Sequence, residues 1–196
     1  MRIRLLSVLL SLAAAVPGWS QPAQTYHSDA GFAVELPAHW VRVPDDALDV
    51  VRRSAAGREG IIYEAGFRLT DASWPAPPVA AIARMDLPGP VTREEFAAEF
   101  SAAGSQAEMQ DAVDETPAAQ LDARVSVPRW DAGTGAAWVR MSLESDGTTP
   151  SFAWSAMMLA PSGRAMILLI YYGPPGADER AVQAELKSIV RSLRAD

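Results

Sequence analysis

Residues 31–40 read GFAVELPAHW. Phe32, Val34 and Leu36 alternate with Ala33 and Glu35, the period of a strand with one buried face. Pro37 has no N–H to give to a ladder, so pairing ends there. Trp40 then stands where the strand has already stopped. A proline that closes a strand and a tryptophan that turns back predict a core plugged at that end by the indole. Residues 41–43 resume an extended run.

Upstream, Arg2 and Arg4 form a basic region, and residues 5–16 are apolar apart from Ser7 and Ser11. Pro17 ends the run, and Gly18 and Ser20 put small residues at the −3 and −1 positions of a cut before Gln21. This is the pattern of a Sec-type secretory signal peptide over residues 1–20. The apolar run is shorter than the roughly 20 residues of a spanning helix, and no cysteine follows it to carry a lipid. The expectation is a chain cleaved after Ser20 and delivered to the periplasm or secreted, with no transmembrane segment in the mature protein. Residues 21–30 read as a polar, flexible lead-in to a single domain over 31–196, a length that supports its own core.

The chain holds 17 basic and 24 acidic residues, and loss of Arg2 and Arg4 takes the net charge from −7 to −9. An acidic surface is a poor match for nucleic acid or an anionic membrane. There is no cysteine, which excludes disulfides, thiol catalysis and thiolate metal sites; stability must come from the core. Lys187 is the sole lysine and asparagine is absent. Both residues use A-rich codons, so the bias points to a GC-rich bacterial genome, and it leaves no N-glycosylation site.

Downstream, Asp45 or Asp46 caps a helix to about residue 56, with Leu48 and Val51 inward. A turn is expected at 57–60. Ile61, Tyr63, Phe67 and Leu69 mark a strand, and 79–86 another. Between them DASWPAPP, residues 71–78, is a proline-rich loop carrying Trp74. Thr92 and Glu95 make a capping box, and the helix behind it sets Phe96 and Phe100 on one face. A short helix is expected over 106–113.

Leu121, Ala123, Val125 and Val127 alternate as a strand, DAGTG at 131–135 turns the chain, and Val139, Met141 and Leu143 share a strand face opposite Trp138, Arg140 and Glu144. Asp146-Gly147 turns again. Residues 151–160 and 164–172 are apolar on both faces, which predicts a sheet covered on both sides. Asp178 opens a last helix with Val182, Leu186, Ile189, Val190 and Leu193 as its inner stripe. The fold class is α+β: an antiparallel sheet flanked by helices on both faces, a three-layer sandwich.

Gly31, Phe32, Val34, Leu36, Pro37 and Trp40, followed far downstream by a meander and a helix ending in Ser192-Leu193, resemble the PsbP-like and DcrB-like superfamily of exported proteins. The resemblance implies the same PsbP-like sandwich. It also implies a binding or assembly protein more than an enzyme. It transfers no site residue.

The residues themselves show no catalytic constellation. His27 lies in the lead-in and His39 beside Trp40, neither near a G-x-S-x-G elbow. No cysteine or H-x-x-x-H supports zinc. Asp45, Asp46 and Asp49 lack the glycine and final Glu of a calcium loop and read as helix-cap acids; Asp111, Asp114 and Glu115 read as a solvated helix end. Gly133-Thr134-Gly135 sits between strands, where a phosphate cradle has no helix N-terminus to use. Carboxylate pairs cannot be placed from sequence. No cofactor or metal is expected.

Trp40 and Trp154 read as core. Trp74 and Trp130 lie in loops and are the candidate partner-binding residues, against the alternative that each anchors its own loop. The reading is an exported, non-enzymatic binding or accessory protein of the bacterial envelope with a protein partner. The alternative is a small-ligand carrier or unrecognised hydrolase of the periplasm.

Overall fold

Residues 24–54, 60–101, 105–114, 123–142 and 152–196 are described by the computed structural model. The opening stretch is a strand, β2 (Phe32–Leu36), burying Phe32, Val34 and Leu36. The Trp40 N–H returns to the Pro37 carbonyl at 3.0 Å and closes a turn. Trp40 begins β3 (Trp40–Arg42) and is buried. Its ring meets Tyr171 edge-on at 6.0 Å, and its Nε1 donates to Glu185 at 2.7 Å. Burial, and then the Glu185 charge, push the Tyr171 hydroxyl up to about 12.

Part of the supposed lead-in is also strand. β1 (Gln24–Ser28) pairs antiparallel with β2, Tyr26 opposite Val34. Tyr26 and Ser28 are buried; the period of two was there, but polar residues carry it. β11 (Arg194–Ala195) adds to β2 near Ala33. The strand read from GFAVEL therefore belongs to a separate three-stranded sheet, β1-β2-β11, and not to the large one.

Among the described residues the large sheet has eight strands. β3, β4 (Ile61–Leu69), β5 (Val79–Asp86), β10 (Ala165–Gly173), β9 (Phe152–Leu159) and β8 (Ala136–Ser142) lie side by side, each pair antiparallel. β6 (Arg124–Val125) and β7 (Arg129–Asp131) both pair with β8. β6 stops at Val125, so the alternation expected to reach Val127 breaks and Val127 is 55% exposed. Val51, Leu121, Leu143, Glu144 and the turns at 57–59 and 146–147 lie outside the residues whose surroundings are described.

Along β10, Ile167, Leu169 and Tyr171 join the principal core. There they meet Phe32, Val34 and Leu36 of the small sheet and Leu186, Ile189 and Val190 of α4 (Glu179–Arg191). Asp178 caps that helix, its carboxylate accepting from the Arg180 and Ala181 N–H groups. Each fully buried Leu or Ile contributes roughly 1.5–3 kcal/mol. The alternate residues Met166, Leu168 and Ile170 pack on two smaller clusters. One joins Ala137, Val139 and Met157 to Phe96 of α2 (Arg93–Glu99) and Met109 of α3 (Ser105–Asp114). The Thr92–Glu95 capping box is formed, and Phe96 meets Phe100 edge-on at 4.9 Å. α1 (Asp45–Ser54) lies against β4 with Leu48 buried.

The β4–β5 register slips between Tyr63 and Ala65, so Glu64 is the extra residue of a bulge. Tyr63 packs with Ala81 and Ala83, whereas Ala65 and Phe67 face the principal core. Glu64 turns to that core side and reaches β1.

Candidate functional site

The proline-rich loop is held from several directions. Arg68 Nη1 donates to the carbonyls of Leu69, Thr70 and Ala72 at 3.1, 3.1 and 2.8 Å. The Trp74–Pro75 and Pro77–Pro78 bonds are cis. Trp74 is half-buried, and its Nε1 donates to Ala47 O of α1 at 3.3 Å. The ring edge rests on β4 at Gly66, where a Cβ would lie 2.9 Å from Cη2. A glycine there lets the indole close onto the strand. Trp74, Pro75 and Pro77 then wall a recess of about 250 Å³ with Tyr63, Ala81 and Tyr172. It is apolar.

Trp130 lies elsewhere. On β7 it stands opposite Ala137, and its ring meets Phe96 at 6.2 Å. It anchors the Phe96 cluster and borders a second groove, of about 690 Å³, between the sheet edge and α4. Trp138 and Trp154, edge-on at 6.4 Å, line that groove. Trp138, on the strand face of Arg140, is buried; Trp154, expected in the core, is half-buried.

Two charge pairs border the groove. Lys187 Nζ lies 2.8 Å from Asp131 and 5.9 Å from the Trp138 ring centre. The Lys187 hydrogen bond holds the Asp131 carboxyl below its usual range. Arg140 grips Glu179 with Nε at 2.7 Å and Nη2 at 2.8 Å, and that pairing lowers the Glu179 pKa. The Trp154 N–H is buried close to Glu179 and adds a little to this lowering, yet its geometry gives it no hydrogen-bond partner.

Trp74 and Trp130 thus sit in different recesses and do not form one surface. Tyr63 and Tyr172 complete the first recess without any sequence signal, since nothing in their local patterns tied them to a loop at 74–78. Ile62 is 43% exposed; two adjacent isoleucines on one strand were the hint that one must face out.

The remaining chemistry-bearing residues are dispersed. His27 Nδ1 lies 2.7 Å from Asp196, and His39 Nε2 lies 3.1 Å from Glu185. Asp45 and Asp49 pair with Arg52, and Asp46 accepts from the Ala47 N–H. Residues 131–135 form the expected hairpin turn, with the Thr134 and Gly135 N–H groups donating to Asp131 O. Among the described residues no group of three or more His, Cys, Asp or Glu could hold a metal ion. Among them, too, no helix is long and apolar enough to cross a membrane.

No family model matches the chain, and no curated protein matches it. Among solved structures it is similar to the solution structure of cyanobacterial PsbP (CyanoP) from Synechocystis sp. PCC 6803. The TM-score is 0.53 at 13% identity, covering 89% of this chain and 92% of that one. The chain has a PsbP-like α+β fold built on a mostly antiparallel sheet. At this identity the likeness concerns the fold alone.

Proposed function

We propose that the protein is an exported, non-enzymatic binding or accessory protein of the bacterial envelope, and that it holds a protein partner at the Trp74 recess. The recess itself carries this reading. At about 250 Å³ it falls below the roughly 300–1,000 Å³ of small-molecule sites. An apolar pocket of that size suits one anchoring side chain from a partner. The PsbP-like fold supports the same reading, since the resemblance implies binding and assembly proteins. Trp130 is the second contact, on its own surface.

The proposal takes residues 1–20 as a signal peptide cleaved after Ser20, the product as periplasmic or secreted, and 31–196 as one domain. It takes the large sheet as covered by helices on both faces, α4 on the principal-core side and α1, α2 and α3 on the other. The separation of the clusters supports this layering. The test is recovery of the tagged protein from its own envelope under gentle conditions, followed by native mass spectrometry. A second polypeptide should co-purify and should be lost from the Trp74→Ala, Trp130→Ala double variant at unchanged fold. Full retention by the double variant would overturn the surface.

The 690 Å³ groove favours a second reading, a small-ligand carrier or hydrolase of the periplasm. A metabolite or glycan that raises the melting temperature would support it, and a flat screen would count against it.

A further inference from the structure

The turn of residues 131–135 and the turn of residues 160–163 stand beside a third recess, of about 630 Å³. Arg93, the first residue of α2, and Arg191, the last of α4, both line it. Among the described residues its lining holds these two guanidiniums and no carboxylate. The chain as a whole has the opposite balance, 24 acids to 17 bases. Arg84, Arg140 and Arg194, by contrast, are paired with Glu64, Glu179 and Glu35. Arg93 makes a 3.4 Å contact with the Ala132 carbonyl, and among the described residues neither Arg93 nor Arg191 has an ion pair.

The recess is also shaped for an occupant. Gly135 has φ +68°, and a Cβ there would lie 2.4 Å from Arg93 Nη2. The guanidinium therefore lies against the turn in space that a side chain at 135 would take. Ser162 Oγ accepts from the Arg164 N–H at 3.3 Å, so its own proton is left to donate. Leu159 and Leu193, each half-buried, supply apolar surface.

We infer that this recess binds a small organic anion, its carboxylate or phosphate head held by Arg93 and Arg191 and its apolar body against Leu159 and Leu193. Guanidinium forks bind either head bidentately. The volume lies within the roughly 300–1,000 Å³ of small-molecule sites. The inference is independent of the Trp74 surface, so either can fail without the other.

The experiment is a titration of the ¹⁵N-labelled protein at matched ionic strength with n-butyl phosphate, butyrate, inorganic phosphate and n-butanol. The amides of Gly133, Gly135 and Gly163 report. Saturable shifts are expected with n-butyl phosphate or butyrate, weaker binding with inorganic phosphate, and none with n-butanol. The Arg93→Gln, Arg191→Gln double variant should bind about tenfold more weakly or worse, the scale of lost charged hydrogen bonds. An Arg53→Gln, Arg180→Gln control removes the same charge elsewhere and should bind as wild type. No saturable shift with either organic anion, equal shifts with n-butanol, or unchanged affinity in the first double variant would overturn the site. Inorganic phosphate binding as tightly as its butyl ester would overturn the role given to the apolar wall.

Discussion

Ser28 Oγ donates to Glu64 Oε2 at 2.6 Å, joining the small sheet to the large one across the bulge in β4. Tyr26 Oη donates to the same oxygen at 3.1 Å, and Arg84 Nε holds Oε1 at 2.7 Å. The Glu64 side chain is 11% exposed, so both carboxylate oxygens are spent inside the protein. Burial, and then the Glu64 charge, raise the Tyr26 pKa above its ordinary value, which keeps that hydroxyl a donor.

Glu64→Ala should therefore cost about 3 kcal/mol, because it leaves two buried hydroxyls without their acceptor and half-buried Arg84 with Asp86 alone. Glu64→Gln keeps an acceptor and should cost less. Urea unfolding measures both. A loss below about 1 kcal/mol for the alanine variant would mean that the two sheets are held by apolar packing alone.

Gly173→Ala tests how tightly the end of β10 is closed. A Cβ at 173 would lie 2.1 Å from Phe152 Cζ, and Phe152 is buried against Tyr171 with its ring 6.0 Å away. Overpacking of this kind costs about 1–3 kcal/mol, which lowers the melting temperature by several degrees, roughly 2–4 °C per kcal/mol. A thermal melt equal to wild type would show that the ring has somewhere to go.

Acid should weaken the contact between α4 and the sheet edge. Arg140 lowers the Glu179 pKa from its ordinary 4.5, and Lys187 lowers that of Asp131 from 3.8. A depressed carboxylate contributes stability that is complete above its unfolded pKa and is lost as the pH falls through the lower folded one. The loss thus begins below about pH 5. Both members of the Arg140–Glu179 pair are about a third exposed, so the Glu179 share is about 1 kcal/mol or less. Melting temperature against pH should fall less steeply in Glu179→Gln than in wild type; parallel curves would remove the pair from the account.

Gly66→Ala approaches the proposed partner surface from beneath. The added methyl would meet Trp74 Cη2 at 2.9 Å and Leu48 Cδ1 at 3.2 Å, displacing the indole from β4. Partner retention should drop as it does for Trp74→Ala. A folded Gly66→Ala protein that keeps its partner in full would separate the recess from docking.

What the sequence disclosed was local. Residues 32–36 and 79–86, the Thr92–Glu95 box and the Asp178 cap are written in neighbouring side chains, and the structure has them at those positions. What it hid was pairing over distance. β1 escaped because Gln24, Tyr26 and Ser28 do not look like a buried face, and they became one when Glu64 arrived from a remote strand to satisfy two of them. The same holds for the recesses: Trp74 and Tyr172 line one recess through the β5–β10 pairing, and Arg93 and Arg191 line another because two helix ends lie beside two turns. No periodicity encodes either recess.

Tyr63 pairs with Ala83 and Ala65 with Ile82, consecutive partners on β5 with nothing opposite Glu64. The strand carries a spare link. Deleting Glu64 would leave each half of β4 in the register it now has, whereas losing a residue from most strands swaps their two faces. Position 64 is thus released from any duty to the ladder. A one-residue deletion there would straighten the strand without rethreading the sheet, and would remove the one carboxylate on which Tyr26, Ser28 and Arg84 converge.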